Sequence, residues 1–210
     1  MYQAALKEYS LADKVQSIRA QENYTPLDDL PEMYINAVVA VEDHRFYDHG
    51  PIDIISIGRA IWVNLTSFSL VEGGSTITQQ LAKNIYFTQE KKLERKIAEV
   101  FMAFALENQY EKDDILELYV NTIYFGSGYY GVYDASQGYF GKEPSDMTDY
   151  ESTLLAGLPN APSVYSPNVN PELSVQRQRQ VLNSMVEHAY ITEEDAQAIM
   201  ANLNVAPIGD

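Results

Sequence analysis

The sequence predicts an all-α domain, on three observations. Glycine and proline divide the chain into segments whose apolar residues recur at helical spacing, and runs with the alternation of strands are scarce. A length of 210 residues is enough for one well-buried domain. An apolar content of 46% with 11% aromatic residues is typical of a globular core.

The predicted helices begin at recognisable residues. Pro31 sits at an early position of a helix that carries the apolar run 37–41 into Glu42. Thr192, followed by acidic residues, opens the last helix. The helices are expected at about 31–42, 54–65, 76–86, 92–109, 114–124, 148–158, 173–187 and 192–201. The longest carries its apolar residues on one face: Leu93, Ile97, Val100, Phe101 and Phe104.

The charge of the chain excludes one class of partner. A formal net charge of −16 argues against nucleic acid as the partner, since counterion release requires clustered lysine and arginine. Its few clustered basic residues lie between positions 83 and 96, where a solvated helix face is the ordinary interpretation. The absence of cysteine excludes disulfides, thiolate metal sites and a cysteine nucleophile.

The stretch Gly73–Asn84 contains the strongest local signal. Two glycines permit a turn, after which Ser75 or Thr76 can cap a new helix. A helix N-terminus followed by a lysine suits an anion such as a phosphate. The same spacing also fits an ordinary capping box between Thr76 and Gln79. The face that runs away from this N-terminus contains Thr76, Gln79, Gln80 and Lys83.

Two carboxylates stand out from their surroundings. Glu42 is expected near a helix C-terminus and beside Asp43, and both neighbours should raise the pKa of its carboxyl group, as suits a general acid or base. The alternative is a pair of surface acids in a turn. Glu117 lies in a mostly apolar segment, where it shares a polar stripe with Asp114 and Asn121. The spacing from Asp114 to Glu117 also fits a capping box.

The residue types in these segments identify a protein family more specifically than their spacing does. From about Leu30 to the last helix, the chain resembles the peptidoglycan glycosyltransferases, lysozyme-like enzymes that polymerise lipid II into glycan strands. The blocks that carry the resemblance occur in the family's order. They are Val41–Gly50 (VEDHRFYDHG), Gly73–Asn84 (GGSTITQQLAKN), Arg95–Glu99 (RKIAE), Ile115–Asn121 (ILELYVN), and Leu154–Pro159 (LLAGLP) with Ala161–Ser163 (APS).

The resemblance implies a lysozyme-like catalytic domain with a small jaw subdomain that faces the membrane. Glu42 matches the family's catalytic glutamate, which takes a proton from the 4-hydroxyl of the acceptor sugar. Glu117 matches a second catalytic glutamate near the donor's diphosphate, which leaves three roles open: binding a divalent cation (Mg or Mn), acting as an acid, or orienting basic neighbours. The substrate-binding residues implied are Asp43, Phe46, His49, Gly74, Ser75, Thr76, Gln79, Gln80, Lys83, Asn84, Lys91, Arg95, Lys96, Glu99 and Asn121.

Some of these residues, and the neighbouring His44, also allow a second interpretation. Arg95 and Glu99 stand four residues apart and should pair on the long helix. Lys91 stands where relatives tend to carry arginine, so it keeps the charge but loses bidentate phosphate geometry. His44 and His49 lack a third clear ligand, which favours packing or hydrogen bonding over metal binding.

Two further segments can contact ligands or simply pack. The turn 124–131, rich in tyrosine and glycine, fits either sugar stacking or ordinary packing. The segment 54–70 contains Trp62 and is too apolar for a free helix face, so it either joins the core or lies in a membrane interface. In the resembled family the equivalent region dips into the bilayer, and we expect this one to contact the membrane surface.

The resemblance also implies a location. No apolar run reaches the roughly 18 residues that span a bilayer, and in the family a membrane anchor usually precedes the catalytic domain. We therefore expect residues 1–24 to be a stalk after such an anchor, and 25–210 to be the glycosyltransferase domain. The implied location is the extracytoplasmic face of the cell membrane, with cell-wall synthesis or division proteins as partners. The Ser-x-x-Lys and Lys-Thr-Gly signatures of a transpeptidase do not occur in the chain.

The implied reaction is inverting transfer of the growing glycan chain onto lipid II, with release of undecaprenyl diphosphate. One alternative is a lysozyme-like hydrolase or lytic transglycosylase, which needs a glutamate in a helical cleft but no anion site of glycines and lysine. Another is a non-catalytic module that binds the cell wall.

Overall fold

The computed structural model describes residues 10–67, 74–87 and 93–201. Within these ranges the chain is helical apart from turns and one short β-hairpin, so the all-α prediction is confirmed. The helices are α1 (Leu11–Arg19), α2 (Glu32–Glu42), α3 (Ile54–Ser67), α4 (Ile77–Tyr86), α5 (Leu93–Glu107), α6 (Lys112–Thr122), α7 (Val132–Phe140), α8 (Asp149–Gly157), α9 (Pro162–Tyr165), α10 (Pro171–Glu187) and α11 (Glu193–Ala201). The strands are β1 (Tyr124–Gly126) and β2 (Tyr129–Tyr130), and 3-10 turns lie at Leu27–Asp29, Pro144–Asp146 and Leu158–Asn160.

The chain forms two compact units. The first contains the described parts of residues 1–17 and 45–119, and the second contains those of 18–44 and 120–210. Each unit has its own buried apolar side chains.

In the first unit, α4 packs against α5. Leu81 from α4 and Met102 from α5 are fully buried in this core. The carboxylate of Glu107 accepts a hydrogen bond from the Thr78 hydroxyl at 2.6 Å and from the Lys112 ammonium at 2.8 Å. One carboxylate at the end of α5 therefore joins the beginnings of α4 and α6.

The apolar face of α5 is not in the core. The side chains of Ile97, Phe101 and Phe104 are 53%, 55% and 45% exposed. The buried side of the helix is instead formed by residues such as Ala98 and Met102. Apolar spacing identifies a face of a helix, but here packing against α4 leaves that face outward.

In the second unit, α2, α8 and α10 pack against one another. A side chain at Gly157 would crowd Arg177, so glycine allows α8 and α10 to approach closely, and Arg177 Nε donates a hydrogen bond to the Gly157 carbonyl at 3.2 Å. The Ser184 hydroxyl of α10 donates to the carbonyl of Ala40 at 2.6 Å. This last hydrogen bond ties the C-terminal turn of α2 to α10.

The hairpin and α7 differ from the prediction. The predicted helix 114–124 ends at Thr122, and Tyr124 begins β1, because residues 126–128 adopt positive φ angles that a right-handed helix cannot include. Helix α7 was not predicted. It contains Gly138, which usually weakens a helix, but a Cβ there would overlap the ring of Tyr129. Tertiary packing therefore requires the glycine that made the helix hard to predict.

Helix α1 lies in the segment predicted to be a stalk. Its Leu11, Val15 and Ile18 side chains are buried at helical spacing. The assignment of residues 1–24 as a stalk stays a prediction.

Candidate functional site

Glu42 is the last residue of α2, so the predicted position at a helix C-terminus is confirmed. Its side chain is half-buried. Asp43 is buried, caps the helix and donates its backbone N–H to the Val39 carbonyl at 3.0 Å. A negative charge at this end of a helix is disfavoured by the helix dipole, and the Glu42 carboxylate lies there.

Tyr34 is a residue of this region that sequence reasoning missed. It lies on α2, is fully buried, and its phenol oxygen has no hydrogen-bond partner among the described residues. Burial raises the pKa of Tyr34 above its usual value, and the negative charge of Glu42 raises it further. The phenol is therefore neutral and within electrostatic range of Glu42. An apolar pattern cannot reveal such a residue, because tyrosine fits it as an ordinary core side chain.

His44, two residues after Glu42, connects the end of α2 to α10 of the same unit. The imidazole of His44 stacks on that of His188, with ring centroids 3.9 Å apart and an interplanar angle of 6°. This is a packing role, as was expected for His44. The stack joins the residue that follows Asp43 to the C-terminal cap of α10.

The capping box at the start of α4 is present. Thr76 Oγ1 accepts the backbone N–H of Gln79, and Gln79 Oε1 accepts the backbone N–H of Thr76, both at 3.2 Å. The Thr76 hydroxyl also donates to the Pro51 carbonyl at 3.0 Å. Both side chains are buried, so the structure gives Thr76 and Gln79 a defined structural role, and their contact with substrate stays a prediction.

The remaining predicted residues of α4 differ in their surroundings. Gln80 is half-buried, and its amide oxygen accepts a hydrogen bond from the buried Tyr119 hydroxyl at 3.2 Å. Lys83 is half-buried and Asn84 is exposed. Gly74 lies against Ile57 of α3, where a Cβ would come within 3.3 Å of the Ile57 Cα. The predicted polar face is therefore partly used to hold α4 in place.

Two of the sequence blocks meet in the first unit. Lys96 Nζ donates to the Ser75 hydroxyl at 2.7 Å and lies 3.4 Å from Glu99 Oε2. Arg95 Nε donates to Glu99 Oε1 at 2.8 Å, which confirms the predicted pair. Glu99 is 2% exposed, so one buried carboxylate holds both Arg95 and Lys96, and Lys96 in turn contacts Ser75. Lys91 lies outside the described residues.

Phe46 and His49 follow the first block. The ring of Phe46 is fully buried, and Lys112 Nζ lies 4.5 Å from its centroid. The ring therefore belongs to the core of the first unit, and a substrate contact by Phe46 stays a prediction. The imidazole Nδ1 of His49 is hydrogen-bonded to the carbonyl of Gly50.

Asp53 is a second residue that sequence reasoning missed. It caps α3 by accepting hydrogen bonds from the Ile55 and Ser56 N–H groups at 2.9 and 3.1 Å, and from the Ser56 hydroxyl at 2.6 Å. Its carboxylate lies 3.2 Å from Arg45 Nε. Burial alone would raise the pKa of Asp53, but these hydrogen bonds and the Arg45 charge hold it below its usual value. The signal in the sequence is an aspartate just before a helix with serine three residues later.

Glu117 lies in the middle of α6. The helix begins at Lys112, and the N-terminal hydrogen bond runs from the Glu111 N–H to Asp114 Oδ2 at 3.2 Å. The capping-box alternative for Glu117 is therefore wrong, because Glu117 lies beyond the first turn. Its side chain is half-buried, whereas its neighbours in the sequence, residues 115, 116, 118 and 119, are fully buried.

Asn121, near the end of α6, belongs to the second unit and has a structural role. Its side-chain amide donates to the Thr25 carbonyl and accepts the Thr25 N–H, each at 2.8 Å. Both groups lie in a buried environment. Substrate binding by Asn121 stays a prediction.

The first unit exposes apolar side chains on α3. Ile54, Ile55 and Trp62 are 80%, 62% and 70% exposed. Residues 68–70 of the predicted membrane segment lie outside the described residues. In the part of the chain that the structure describes, every helix is too short or too polar to cross a bilayer.

Comparisons with known proteins agree with the blocks in the sequence. A family model described as "Transglycosylase" matches residues 10–186. Penicillin-binding protein 1A of Aquifex aeolicus (strain VF5) is 50% identical over 171 residues, which are 81% of this chain and 24% of that protein. Penicillin-binding protein 1F of Bacillus subtilis (strain 168) is 45% identical over 186 residues, 88% of this chain and 26% of that protein. The chain thus spans about a quarter of the length of these curated relatives.

A solved structure also resembles this fold. The crystal structure of penicillin-binding protein 1A from Haemophilus influenzae matches with a TM-score of 0.51 and 25% sequence identity. The match covers 88% of this chain and 18% of that one.

Proposed function

This chain belongs to the transglycosylase family, and on that basis we propose that it is a peptidoglycan glycosyltransferase that polymerises lipid II into glycan strands. The observation that carries the proposal is the family match over residues 10–186, which contains every block quoted from the sequence. A lysozyme-like hydrolase or lytic transglycosylase is not favoured by these relatives.

In the proposed reaction, the Glu42 carboxylate takes the proton from the 4-hydroxyl of the acceptor lipid II. That oxygen attacks the anomeric carbon of the terminal sugar of the growing chain, and the bond from this carbon to undecaprenyl diphosphate breaks. The configuration inverts, and the diphosphate leaves with the bonding electron pair. Glu42 matches the family's catalytic glutamate, and its position at the C-terminus of α2, where the helix dipole disfavours negative charge, supports its assignment as the proton acceptor.

Negative charge that develops on the leaving diphosphate needs fixed positive groups. We assign this role to Lys83, Lys91, Arg95 and Lys96, together with the N-terminus of α4. Glu99 forms ion pairs with both Arg95 and Lys96 and so orients their side chains. This supports the assignment, because cations that are already oriented stabilise developing charge without reorganising.

We propose that Glu117 can hold Mg²⁺ or Mn²⁺ with the substrate's diphosphate. The fit is chemical: Mg²⁺ binds proteins through one or two carboxylates together with substrate phosphates, and Glu117 is a carboxylate in the middle of a buried helix. The ion would neutralise charge on the leaving group. Mn²⁺ binding in the presence of inorganic diphosphate, followed by EPR, should weaken in Glu117→Gln and persist in Asp113→Asn, an exposed position on the same helix. Equal binding by both variants would assign the ion elsewhere.

We propose that the protein works at the extracytoplasmic face of the cell membrane, with α3 in contact with the lipid surface. The exposure of Ile54, Ile55 and Trp62 supports this contact. Liposome co-sedimentation should drop in Trp62→Glu and remain in Val169→Glu, which alters a similarly exposed apolar residue of the second unit. Cell-wall synthesis or division proteins are the proposed protein partners.

The test of the reaction is incubation with lipid II, followed by measurement of glycan length on a gel. We expect long strands from the wild type, none from Glu42→Gln, and near-normal strands from Glu32→Gln, which removes an exposed carboxylate from the first turn of the same helix. Sensitivity of strand synthesis to moenomycin would support the same assignment.

The alternatives give different products. Shortening of finished glycan strands would indicate a hydrolase or lytic enzyme. Binding of glycan without turnover would indicate a wall-binding module. Normal strand synthesis by folded Glu42→Gln would reject Glu42 as the base.

A further inference from the structure

The β-hairpin after α6 separates two neighbouring tyrosines. Tyr129 is the inward one: its ring lies on Gly138 and meets the ring of Tyr139 edge-on, with centroids 5.0 Å apart. Tyr130 points the other way and is 61% exposed. Because successive residues of a strand face opposite sides, packing accounts for Tyr129 and leaves Tyr130 without a core role.

Tyr130 does not stand alone on its side of the hairpin. It is the cross-strand partner of Tyr124, and their ring centroids lie 4.7 Å apart with an angle of 35° between the planes. The Tyr124 hydroxyl accepts the backbone N–H of Gly128 at 3.3 Å, which orients its ring. We call Tyr124 and Tyr130 the tyrosine pair.

The hairpin that presents this pair has an unusual backbone. Gly126, Ser127, Gly128 and Gly131 all have positive φ angles, and Ser127 at +52° is the one among them with a side chain. Ser127 is held by a 2.8 Å hydrogen bond to Ser166, a buried residue whose hydroxyl also lies 3.1 Å from the Tyr139 hydroxyl. The surrounding structure thus fixes a turn that the chain would not adopt readily.

The base of the hairpin contacts Asn121, one of the predicted substrate-binding residues. Gly131 packs directly on the backbone carbonyl of Asn121, where a Cβ would come within 2.7 Å. Its N–H donates to the Ile123 carbonyl at 2.9 Å. The tyrosine pair is therefore fixed to the C-terminal turn of α6, within the second unit.

We propose that the tyrosine pair is a binding subsite for the glycan strand, in which Tyr130 stacks on the face of an N-acetylhexosamine ring. The C–H groups on one face of a pyranose are apolar and slightly positive, and they complement the negative face of an aromatic ring. The strong negative charge of the chain argues against nucleotide bases as the stacking partner. The choice of an N-acetylhexosamine rests on the proposed function, whereas the stacking surface itself rests on the hairpin.

Binding of chitotetraose, a soluble oligomer of N-acetylglucosamine, tests the subsite without any reaction. NMR titration of the wild type should shift the Tyr130 and Tyr124 ring resonances. Tyr130→Ala should weaken binding by roughly tenfold, the loss of one aromatic stacking contact. Tyr130→Phe and Tyr130→Trp should bind about as well as the wild type, because both keep the aromatic face.

A matched control separates the subsite from a general effect of losing a tyrosine. Tyr133→Ala removes a half-buried tyrosine of α7, whose hydroxyl contacts Glu143, and should leave chitotetraose binding unchanged. Unchanged binding by folded Tyr130→Ala would overturn the proposal, and so would a wild type that does not bind chitotetraose.

The outcome is independent of the glycosyltransferase assignment. Chitotetraose binding that depends on Tyr130 in a protein that fails to polymerise lipid II would reject the proposed function and keep the subsite. Strand synthesis of normal length by Tyr130→Ala, together with unchanged binding, would keep the function and reject the subsite.

Discussion

The side-chain amide of Asn121 pairs with both backbone polar groups of Thr25, at 2.8 Å for each hydrogen bond. Thr25 and Asn121 are 96 residues apart and both are buried. The two hydrogen bonds hold the segment around Thr25, in the second unit, against the end of α6. An asparagine is suited to the position because its amide provides one donor and one acceptor side by side.

Replacing Asn121 should therefore destabilise the fold. Asn121→Ala leaves a buried N–H and a buried carbonyl without partners, and each such group costs about 1–3 kcal/mol. Asn121→Asp keeps the acceptor for the Thr25 N–H but places a carboxylate oxygen against the Thr25 carbonyl, so it should also destabilise the fold. Urea unfolding measures both, and equal stability of Asn121→Ala and the wild type would contradict the structural role.

Two buried tyrosines should respond in opposite directions to loss of the hydroxyl. The Tyr34 oxygen has no hydrogen-bond partner among the described residues, so Tyr34→Phe should be neutral or stabilising by up to about 1–2 kcal/mol. The Tyr139 hydroxyl donates to the Phe125 carbonyl at 3.0 Å and lies 3.1 Å from Ser166 Oγ, so Tyr139→Phe should destabilise by about 1–2 kcal/mol. Thermal unfolding of the two variants provides the comparison. A loss of stability in Tyr34→Phe as large as in Tyr139→Phe would show that the Tyr34 hydroxyl is satisfied.

The two cations around Glu99 should contribute unequally. Arg95 Nε is 2.8 Å from the carboxylate and its side chain is 16% exposed, whereas Lys96 Nζ is 3.4 Å away and its side chain is 47% exposed. Arg95→Ala removes the better-placed partner of a buried charge and should cost up to about 3 kcal/mol. Lys96→Ala should cost less than about 1 kcal/mol, because solvent screens the exposed pair. Denaturant unfolding at low salt ranks the two variants, and the reverse order would show that Lys96 holds Glu99.

Stability should fall in acid partly because of Asp53. Its pKa in the folded protein is below the usual value of 3.8, so the folded state favours the ionised carboxylate. This contribution is fully present above the unfolded pKa near 3.8 and is lost as the pH falls through the lower folded value.

The variants Asp53→Asn and Ser56→Ala test this dependence. Asp53→Asn should reduce the slope of stability against pH below about pH 4, and Ser56→Ala should reduce it in part, since the Ser56 hydroxyl and N–H both bind the carboxylate. Unfolding curves between about pH 2 and 5 measure the slopes. An unchanged slope in Asp53→Asn would mean that other carboxylates carry the acid sensitivity.

Features that depend on residues within one helical turn were predictable. The capping box of Thr76 and Gln79, the pair of Arg95 and Glu99, and the position of Glu42 at the end of α2 all follow from neighbours three or four residues away. The order of the sequence blocks likewise identified the family, because that information lies in the residue types themselves.

Features that depend on distant residues required the folded chain. The ring of Tyr129 leaves no room for a side chain at Gly138 of α7, and the exposure of Phe101 on α5 follows from which face α4 occupies. The pairing of Asn121 with Thr25 and the separation of Tyr129 from Tyr130 are equally invisible in a local pattern. Local backbone interactions select helices and caps from the sequence alone, whereas burial is a property of packed surfaces, and only the tertiary structure decides which surfaces meet.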